Sequence, residues 1–212
     1  MGLPQLKHTM SFDEFLEWTQ TFEGQQGKYE WHKGEIFDLY AMAGALANHN
    51  RICGNVFAAL HAHLKGTPCE AFVADMRLRV EADDASYFPD VMVTCSEADR
   101  KRELAKTDAV LVVDVISPST ESYDRGKKFA SYRKLPSLQE LVFIDPDSQR
   151  IDHYRRATAA DLATEAGVDV PSDTWLLAPA NGPLALTTVA LTITRADVFS
   201  GVTDGAGSEA TV

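Results

Sequence analysis

Three polar residues have the types that metal-dependent phosphoester chemistry requires. Asp90 opens one apolar segment, Asp114 interrupts a second, and Lys128 follows in the first turns of the next helical segment. Hard cations such as Mg²⁺ take oxygen ligands, usually one or two carboxylates together with waters and substrate phosphate oxygens. The bound cation activates a water and neutralises charge on the phosphate, and a lysine adds a mobile positive charge. The residues therefore predict a divalent-metal phosphodiesterase centre.

Asp114 is informative because of its neighbours. It lies in the run Val-Leu-Val-Val-Asp-Val-Ile at 110–116, which has the pattern of a strand that is buried on both faces. A charge in such a strand is costly unless it is paired or bound to a metal. This setting favours a functional role for Asp114.

The same residues carry a resemblance to a known group of enzymes. Asp90 in a Pro-Asp pair, followed by Asp114 at the end of an apolar strand, resembles the PD-(D/E)XK nuclease superfamily. The run Asp-Val-Ile-Ser-Pro-Ser-Thr at 114–120, followed by Asp124, Lys128 and Tyr132, is similar to the Uma-type restriction endonuclease family within it. The resemblance extends from about residue 29 to residue 154, and the Ser-Pro-Ser-Thr turn is its most specific part.

Two positions depart from the superfamily pattern. Its lysine would fall two residues after the second acid, where this chain has Ile116, and that acid, most often Glu in the family, is Asp114 here. The resemblance implies that the lysine has moved to the following helix, which makes Lys128 the candidate. It also implies DNA as the substrate.

The predicted site has three further candidate members. The backbone carbonyl of Val115 completes the ligand shell of a Mg²⁺ ion, for which Mn²⁺ is a possible substitute. Glu30 and His49 stand where the family pattern carries a glutamate and a histidine. Each also has a structural interpretation, because Glu30 could be a strand residue that faces solvent and a lone helical histidine is commonly structural. Lys128 could equally form only a surface ion pair with Asp124, four residues away.

The element pattern predicts an α/β fold with a restriction-endonuclease-like core, in which helices flank one mixed central sheet. Its N-terminal part is a capped helix and a hairpin that turns at Lys33-Gly34, and its C-terminal part contains edge strands. Residues 1–200 are expected to form one domain, and 201–212 a disordered tail. The predicted elements are a helix over 10–22, a hairpin over 29–42, a helix over 45–64, strands over 69–80, 87–94, 109–116, 138–144 and 150–154, a helix over 121–134 that Ser119 or Thr120 caps, edge strands over 174–177 and 184–193, and a last helix over 195–200.

Composition limits the partners and the location. The formal charge of −11 argues against broad nonspecific affinity for nucleic acid, but basic residues concentrate around Arg100–Lys106 and Arg125–Lys134. No apolar run is long enough for a membrane span, and the first residues lack the apolar centre of a signal peptide. The three cysteines lie in no Cys-x-x-Cys spacing and predict neither a disulfide framework nor a zinc site. We therefore expect a cytoplasmic protein.

Three functional hypotheses arise from these observations. The first is a Mg²⁺-dependent DNA endonuclease, which would favour a two-fold homodimer because a duplex has two strands to cut. The second is a catalytically silent domain that keeps the fold as a DNA-binding or protein-interaction module, which Ile116 and the acidic net charge favour. The third is a hydrolase of small phosphoesters, which an acidic surface suits better than long DNA does.

Overall fold

The computed structural model describes residues 5–39, 47–117, 121–158, 160–161, 173–178 and 182–203. Some predicted features lie outside these described residues, namely the helix cap at Ser119 or Thr120, the end of the hairpin at 40–42, the first residues of the second helix at 45–46, and the tail from 204 onwards. The single-domain organisation of residues 1–200 stays a prediction.

The described residues form an α/β structure with two six-stranded mixed sheets and one two-stranded sheet. The strands are β1 (Gln5–Thr9), β2 (Tyr29–His32), β3 (Glu35–Asp38), β4 (Glu70–Val73), β5 (Arg77–Val80), β6 (Ala85–Tyr87), β7 (Val91–Thr94), β8 (Ala105–Lys106), β9 (Ala109–Val115), β10 (Glu140–Asp145), β11 (Arg150–Arg156), β12 (Trp175–Leu177), β13 (Leu184–Leu186) and β14 (Leu191–Ile193). The helices are α1 (Phe12–Thr19), α2 (Ala47–His63), α3 (Glu97–Arg100), α4 (Glu121–Tyr123), a π-helical turn (Asp124–Lys128), α5 (Phe129–Tyr132) and α6 (Arg195–Val198).

The prediction of one central sheet is wrong, because the chain passes repeatedly between two sheets, and two of these passages divide segments that were predicted as continuous strands. The first sheet has the order β1-β3-β2-β6-β5-β8 and the second has the order β12-β11-β10-β9-β7-β4. The segment predicted as one bent strand over 69–80 is β4 of the second sheet and β5 of the first, separated at Ala74, whose φ is 61°. The segment over 87–94 is likewise divided, since Pro89 has no backbone donor to continue a ladder.

The N-terminal elements follow the predicted local chemistry. Ser11 and Glu14 form the capping box of α1, and the Lys33-Gly34 turn has positive φ at both residues, as a tight hairpin requires. Strand β1 was not predicted, and it pairs with β3 at the edge of the first sheet. Phe15, Trp31 and Ile36 pack into a small apolar cluster that joins α1 to this sheet.

The second sheet lies between two apolar layers. On one face Leu111, Val113 and Val115 of β9 pack with α2 and with the β13–β14 pair. On the other face Val112 and Ile116 pack with side chains of the first sheet and of α5. Because successive side chains of a strand point to opposite faces, Asp114 lies on the side of Val112, towards the first sheet and α5.

The C-terminal strands do not all have the predicted positions. Strand β12 is the edge strand of the second sheet, as expected, whereas among the described residues β13 and β14 pair with each other alone. This pair packs on α2 through Leu184, Leu186 and Ile193. None of the helices in the described ranges has the length and apolarity needed to cross a membrane.

A disulfide corrects the prediction for the cysteines. Cys69 precedes β4 and Cys95 follows β7, and the antiparallel pairing of these strands brings their Cα atoms to 4.0 Å, with the sulfurs bonded. Cys53 is the remaining cysteine and is buried. Sequence spacing did not indicate the bond, because the two cysteines are 26 residues apart and the bond depends on the register between the strands beside them.

Candidate metal centre

Asp90 and Asp114 meet at the end of two neighbouring antiparallel strands. Val91 of β7 is opposite Val113 of β9, so the same register places Asp90 opposite Asp114. The backbone N–H of Asp90 donates to Asp114 Oδ1 at 3.3 Å, and the N–H of Val115 donates to Asp90 Oδ2 at 2.7 Å. Both carboxyl groups therefore belong to one small volume, and their role as metal ligands stays a prediction.

Asp114 is a buried carboxyl group with an unused oxygen. Its side chain is 3% exposed, and Oδ2 is buried without a hydrogen-bond partner among the described residues. Burial, together with the charges of Asp124 and Asp90, raises the pKa of Asp114 to about 8 against the opposing charge of Lys128. A buried acceptor of this kind is costly by itself, and a cation beside it would supply the missing partner. Asp114 therefore fits the divalent metal that the sequence pattern implies.

The carbonyl of Val115 is also available at this end of the sheet. The N–H of Val115 points towards β7, and in an extended strand the carbonyl of the same residue points to the same side. In this register the residue opposite Val115 is Pro89, which has no N–H to donate. The carbonyl is therefore left for another partner, and the His49 ring donates a hydrogen bond to it, which a bound cation would have to replace.

His49 reaches the same volume from helix α2. Its Nε2 atom lies 3.3 Å from Asp90 Oδ2, and its Nδ1 atom lies 3.5 Å from the sulfur of Cys53, one helical turn further on. Burial disfavours the imidazolium, but the hydrogen bond and charge of Asp90 and the charge of Asp114 outweigh it, so the pKa of His49 is raised. Burial, reinforced by the same two carboxylates, also raises the pKa of Cys53.

Lys128 lies in an ion-pair cluster beneath the carboxylate pair. It ends the π-helical turn, and its Nζ atom lies 3.1 Å from Glu30 Oε1 and 3.3 Å from Asp124 Oδ1. Burial disfavours the ammonium, yet Glu30, Asp124 and Asp114 raise the pKa of Lys128 well above its ordinary value. The surface ion pair with Asp124 was thus an incomplete interpretation, because the lysine is buried and has a second acid. Such π-turns occur frequently at functional sites.

Glu30 lies beside Lys128 and apart from the proposed metal ligands around Asp90. It is fully buried on β2 and accepts hydrogen bonds from the Tyr123 hydroxyl at 3.0 Å and the Phe88 N–H at 3.3 Å, in addition to its contact with Lys128. The interpretation of Glu30 as a solvent-facing strand residue is therefore wrong. Glu30 holds Lys128 and joins the first sheet to the π-helical turn.

Two residues of this region were missed from the sequence. Tyr123 is joined to Glu30 across 93 positions, a contact that no local pattern indicates. Cys53 had a local signal, because it follows His49 by four residues and so lies on the same face of the helix. The cysteine spacing along the sequence predicts no metal site, because the ligands of this region come from different elements.

The basic residues near the site are largely paired with acids. Arg102 contacts Asp99, Arg125 contacts Asp152, and Lys134 forms a short ion pair with Asp83. Pairing of this kind reduces the positive charge that the two basic segments present to a nucleic acid.

Comparison with known proteins assigns the chain to a family. Residues 12–187 match the family model described as "Uma2: Putative restriction endonuclease". The chain is 38% identical over 152 residues to the uncharacterized protein slr1290 of Synechocystis, which covers 72% of this chain and 77% of that protein. It is 36% identical over 142 residues to the uncharacterized protein sll1609 of the same organism, covering 66% of this chain and 78% of that protein.

A solved structure has the same fold. It is the crystal structure, from Anabaena variabilis, of a protein titled "a putative nuclease belonging to DUF820", and it superimposes with a TM-score of 0.66 at 19% identity. The match covers 90% of this chain and 98% of the other. The structure shows the fold, and the family match over residues 12–187, together with the relative at 38% identity, shows that this chain belongs to the Uma2 family.

Proposed function

We propose that the protein is a metal-dependent endonuclease that hydrolyses DNA phosphodiester bonds. The observation that carries the proposal is the pairing of Asp90 and Asp114 across two strands, with an unpartnered buried oxygen on Asp114. A purely structural role would not favour this arrangement, because two acids side by side repel each other. Burial raises the pKa of Asp114, and the neighbouring charge of Asp90 adds to the increase. Membership of the Uma2 family supports the same reaction class.

Asp90, Asp114 and the Val115 carbonyl would hold the cation, for which Mg²⁺ is the first choice and Mn²⁺ a substitute. The bound ion would supply activation of a water and neutralisation of charge on the phosphate. Oxygen donors alone form this set, which is the preference of hard divalent cations. The hydrogen bonds between backbone N–H groups and the two carboxylates orient these oxygens before any ion arrives.

Lys128 would act as a fixed positive charge and not as a base. Its raised pKa keeps it an ammonium at neutral pH, so it has no lone pair with which to take a proton from water. Its charge lowers the cost of ionising Asp114, which favours the form that binds a cation. Glu30 and Asp124 hold the ammonium in place, and Glu30 is thus proposed as a positioning residue.

The decisive test is cleavage of plasmid and branched DNA in Mg²⁺ or Mn²⁺ by the full chain and its variants. We expect Asp90→Asn and Asp114→Asn to lose activity by a factor of roughly 100 or more, since each removes a ligand charge. Lys128→Met should also lower the rate. Asp147→Asn, on an exposed loop, is the matched control and should cleave normally. Undiminished metal-dependent cleavage by Asp90→Asn would refute the assignment.

A hydrolase of small phosphodiesters is a second candidate, favoured by the pairing of Arg102, Arg125 and Lys134 with acids. A substrate with one phosphate needs no extended basic surface. Comparing turnover of a chromogenic phosphodiester with that of duplex DNA would decide between the two, because an endonuclease should prefer DNA by a large factor. Sedimentation of the protein with and without DNA would test the proposed two-fold homodimer.

A further inference from the structure

Beside the carboxylate pair lies a second set of possible ligands. One ring nitrogen of His49, the sulfur of Cys53 and a carboxylate oxygen of Asp90 all lie within 4.8 Å of one another. Asp114 is not part of this group. We propose that His49, Cys53 and Asp90 form a position for a borderline transition metal, of the class of Zn²⁺ or Co²⁺, which shares Asp90 with the proposed Mg²⁺ ligands.

The local geometry suits chelation from one helix. His49 and Cys53 are four residues apart on α2, so their side chains project from the same face over successive turns. The Nε2 atom of His49 and Oδ2 of Asp90 are 3.3 Å apart, close to the separation of two ligands that each bind one cation at about 2.1 Å. Small rotations of the side chains would bring the sulfur to its bonding distance. The three ligand atoms are therefore already close together, and they need only small movements to reach metal-bonding distances.

The donor set determines which cations it takes. A thiolate and an imidazole are soft and borderline ligands that favour Zn²⁺ and Co²⁺, whereas Mg²⁺ prefers oxygen donors. Nitrogen, sulfur and carboxylate together are a common ligand set for zinc, and three protein ligands leave a fourth position open. The thiol proton of Cys53 would pass to solvent when the metal–sulfur bond forms, as it does in thiolate sites generally.

Burial supports a function for the triad beyond packing. Cys53 is 7% exposed and lies at the edge of the apolar cluster around α2, while Asp90 keeps a quarter of its side chain open to solvent. A cation could thus enter from the side of Asp90 and meet the sulfur at the inner end. The inference rests on the proposed function only through the shared Asp90, and the two fail under different variants.

Titration of the full chain with Co²⁺ tests the proposal without any measurement of activity. Thiolate bound to Co²⁺ absorbs in the near ultraviolet, so wild-type protein should develop this band at one equivalent. Cys53→Ser should abolish it, and His49→Gln should weaken Co²⁺ binding by a factor of roughly ten or more. His61→Gln, on an exposed part of the same helix, is the matched control and should leave the band unchanged.

Two further arms separate this inference from the nuclease proposal. Asp114→Asn should keep the Co²⁺ band, even though the proposed endonuclease activity requires Asp114. The double variant Cys69→Ser/Cys95→Ser should also keep it, which excludes reduced Cys69 and Cys95 as the source. An unchanged band in Cys53→Ser, or Co²⁺ affinity that does not depend on His49, would overturn the inference whether or not the protein cleaves DNA.

A measurement on unmodified protein covers the case in which Cys53→Ser does not fold. Zn²⁺ at one equivalent should protect Cys53 from alkylation, as read by mass spectrometry of the peptide that contains it, and Mg²⁺ should not. Equal alkylation of Cys53 with and without Zn²⁺, at a reaction time that labels most of the metal-free native protein, would contradict the site directly.

Discussion

At the scale of single residues, the site combines a satisfied buried acid with an unsatisfied one. Glu30 contacts the ammonium of Lys128 and accepts hydrogen bonds from the Tyr123 hydroxyl and the Phe88 N–H, so each of its oxygens has a partner. Asp114 receives one backbone N–H, and its second oxygen has no hydrogen-bond partner in the described part of the chain. Buried groups without partners destabilise a fold, and they are concentrated where function requires them. The two acids should therefore respond oppositely to neutralisation.

Glu30→Gln should lower the free energy of unfolding by about 2 kcal/mol, because it leaves Lys128 buried with only part of its compensating charge. Urea unfolding would measure the change. Glu35→Gln, on the neighbouring strand but exposed, is the control and should stay within about 0.5 kcal/mol of wild type. Equal stabilities for wild type and Glu30→Gln would show that Glu30 does not hold Lys128.

Asp114→Asn should not destabilise the metal-free protein and should raise its free energy of unfolding by about 1 kcal/mol, as expected when an unfavourable functional residue is replaced. The amide keeps the shape of the carboxyl group and, unlike an acid whose pKa is raised by burial, needs no proton uptake on folding. Unfolding in urea with a metal chelator present would test this. A marked loss of stability would indicate that Asp114 is structural and that its paired position has no connection with a cation.

At the scale of elements, the disulfide and the strand breaks determine how the second sheet presents the site. Cys69–Cys95 joins the far ends of β4 and β7, while the N–H of Ala74 at the other end of β4 donates to the carbonyl of Asp90 at 2.9 Å. Edge strand β4 is thus held at both ends against the strand that follows Asp90. Disulfides are rare in the reducing cytosol, and the cytoplasmic location stays a prediction.

Reducing the disulfide should lower the free energy of unfolding by about 3 kcal/mol, given the loop of 26 residues that it closes. Urea unfolding with and without a reductant would measure the loss. The double variant Cys69→Ser/Cys95→Ser supplies the control, since its stability should be low already and should not respond to reductant. If all three thiols of the denatured, unreduced protein were alkylated, the bond itself would be absent.

At the scale of the whole molecule, a buried carboxylate joins the second sheet to the C-terminal pair of strands. Glu140 on β10 accepts from backbone N–H groups of Thr187 and Thr188 at 3.0 Å each and contacts His153 on β11 at 3.1 Å. Burial opposes its ionisation, but these hydrogen bonds dominate and lower the pKa of Glu140 to about 2. The β13–β14 pair therefore has a polar attachment to the second sheet, through Glu140, in addition to its apolar packing on α2.

This attachment predicts how stability depends on pH. A carboxyl group whose pKa is lowered by folding contributes stability above its unfolded pKa, near 4.5, and loses that contribution as the pH falls towards 2. The free energy of unfolding of Glu140→Gln should thus be roughly 2 kcal/mol lower than that of wild type at pH 6, and this difference should shrink between pH 4.5 and pH 2. Denaturation series at several pH values would measure it. A difference that does not depend on pH would contradict the assigned pKa.

The features that depend on neighbours along the chain can be predicted from the amino-acid sequence. The capping box at Ser11, the tight turn at Lys33-Gly34 and the position of Asp114 in an apolar strand all follow from spacing over a few residues. The family motif lies in the same kind of short segment. The hydrogen bonds and steric limits that create these features act locally, so the sequence alone is enough to predict them.

The way in which these segments meet depends on the three-dimensional packing of the chain. The division into two sheets, the Cys69–Cys95 bond, the Glu30–Lys128 contact and the approach of Cys53 to Asp90 each join residues that are distant along the chain. Such contacts depend on strand register and on the packing of complete layers, in which a shift by one residue would turn every side chain to the other face. No local pattern carries that information, which is why the acids were predicted and their partners were not.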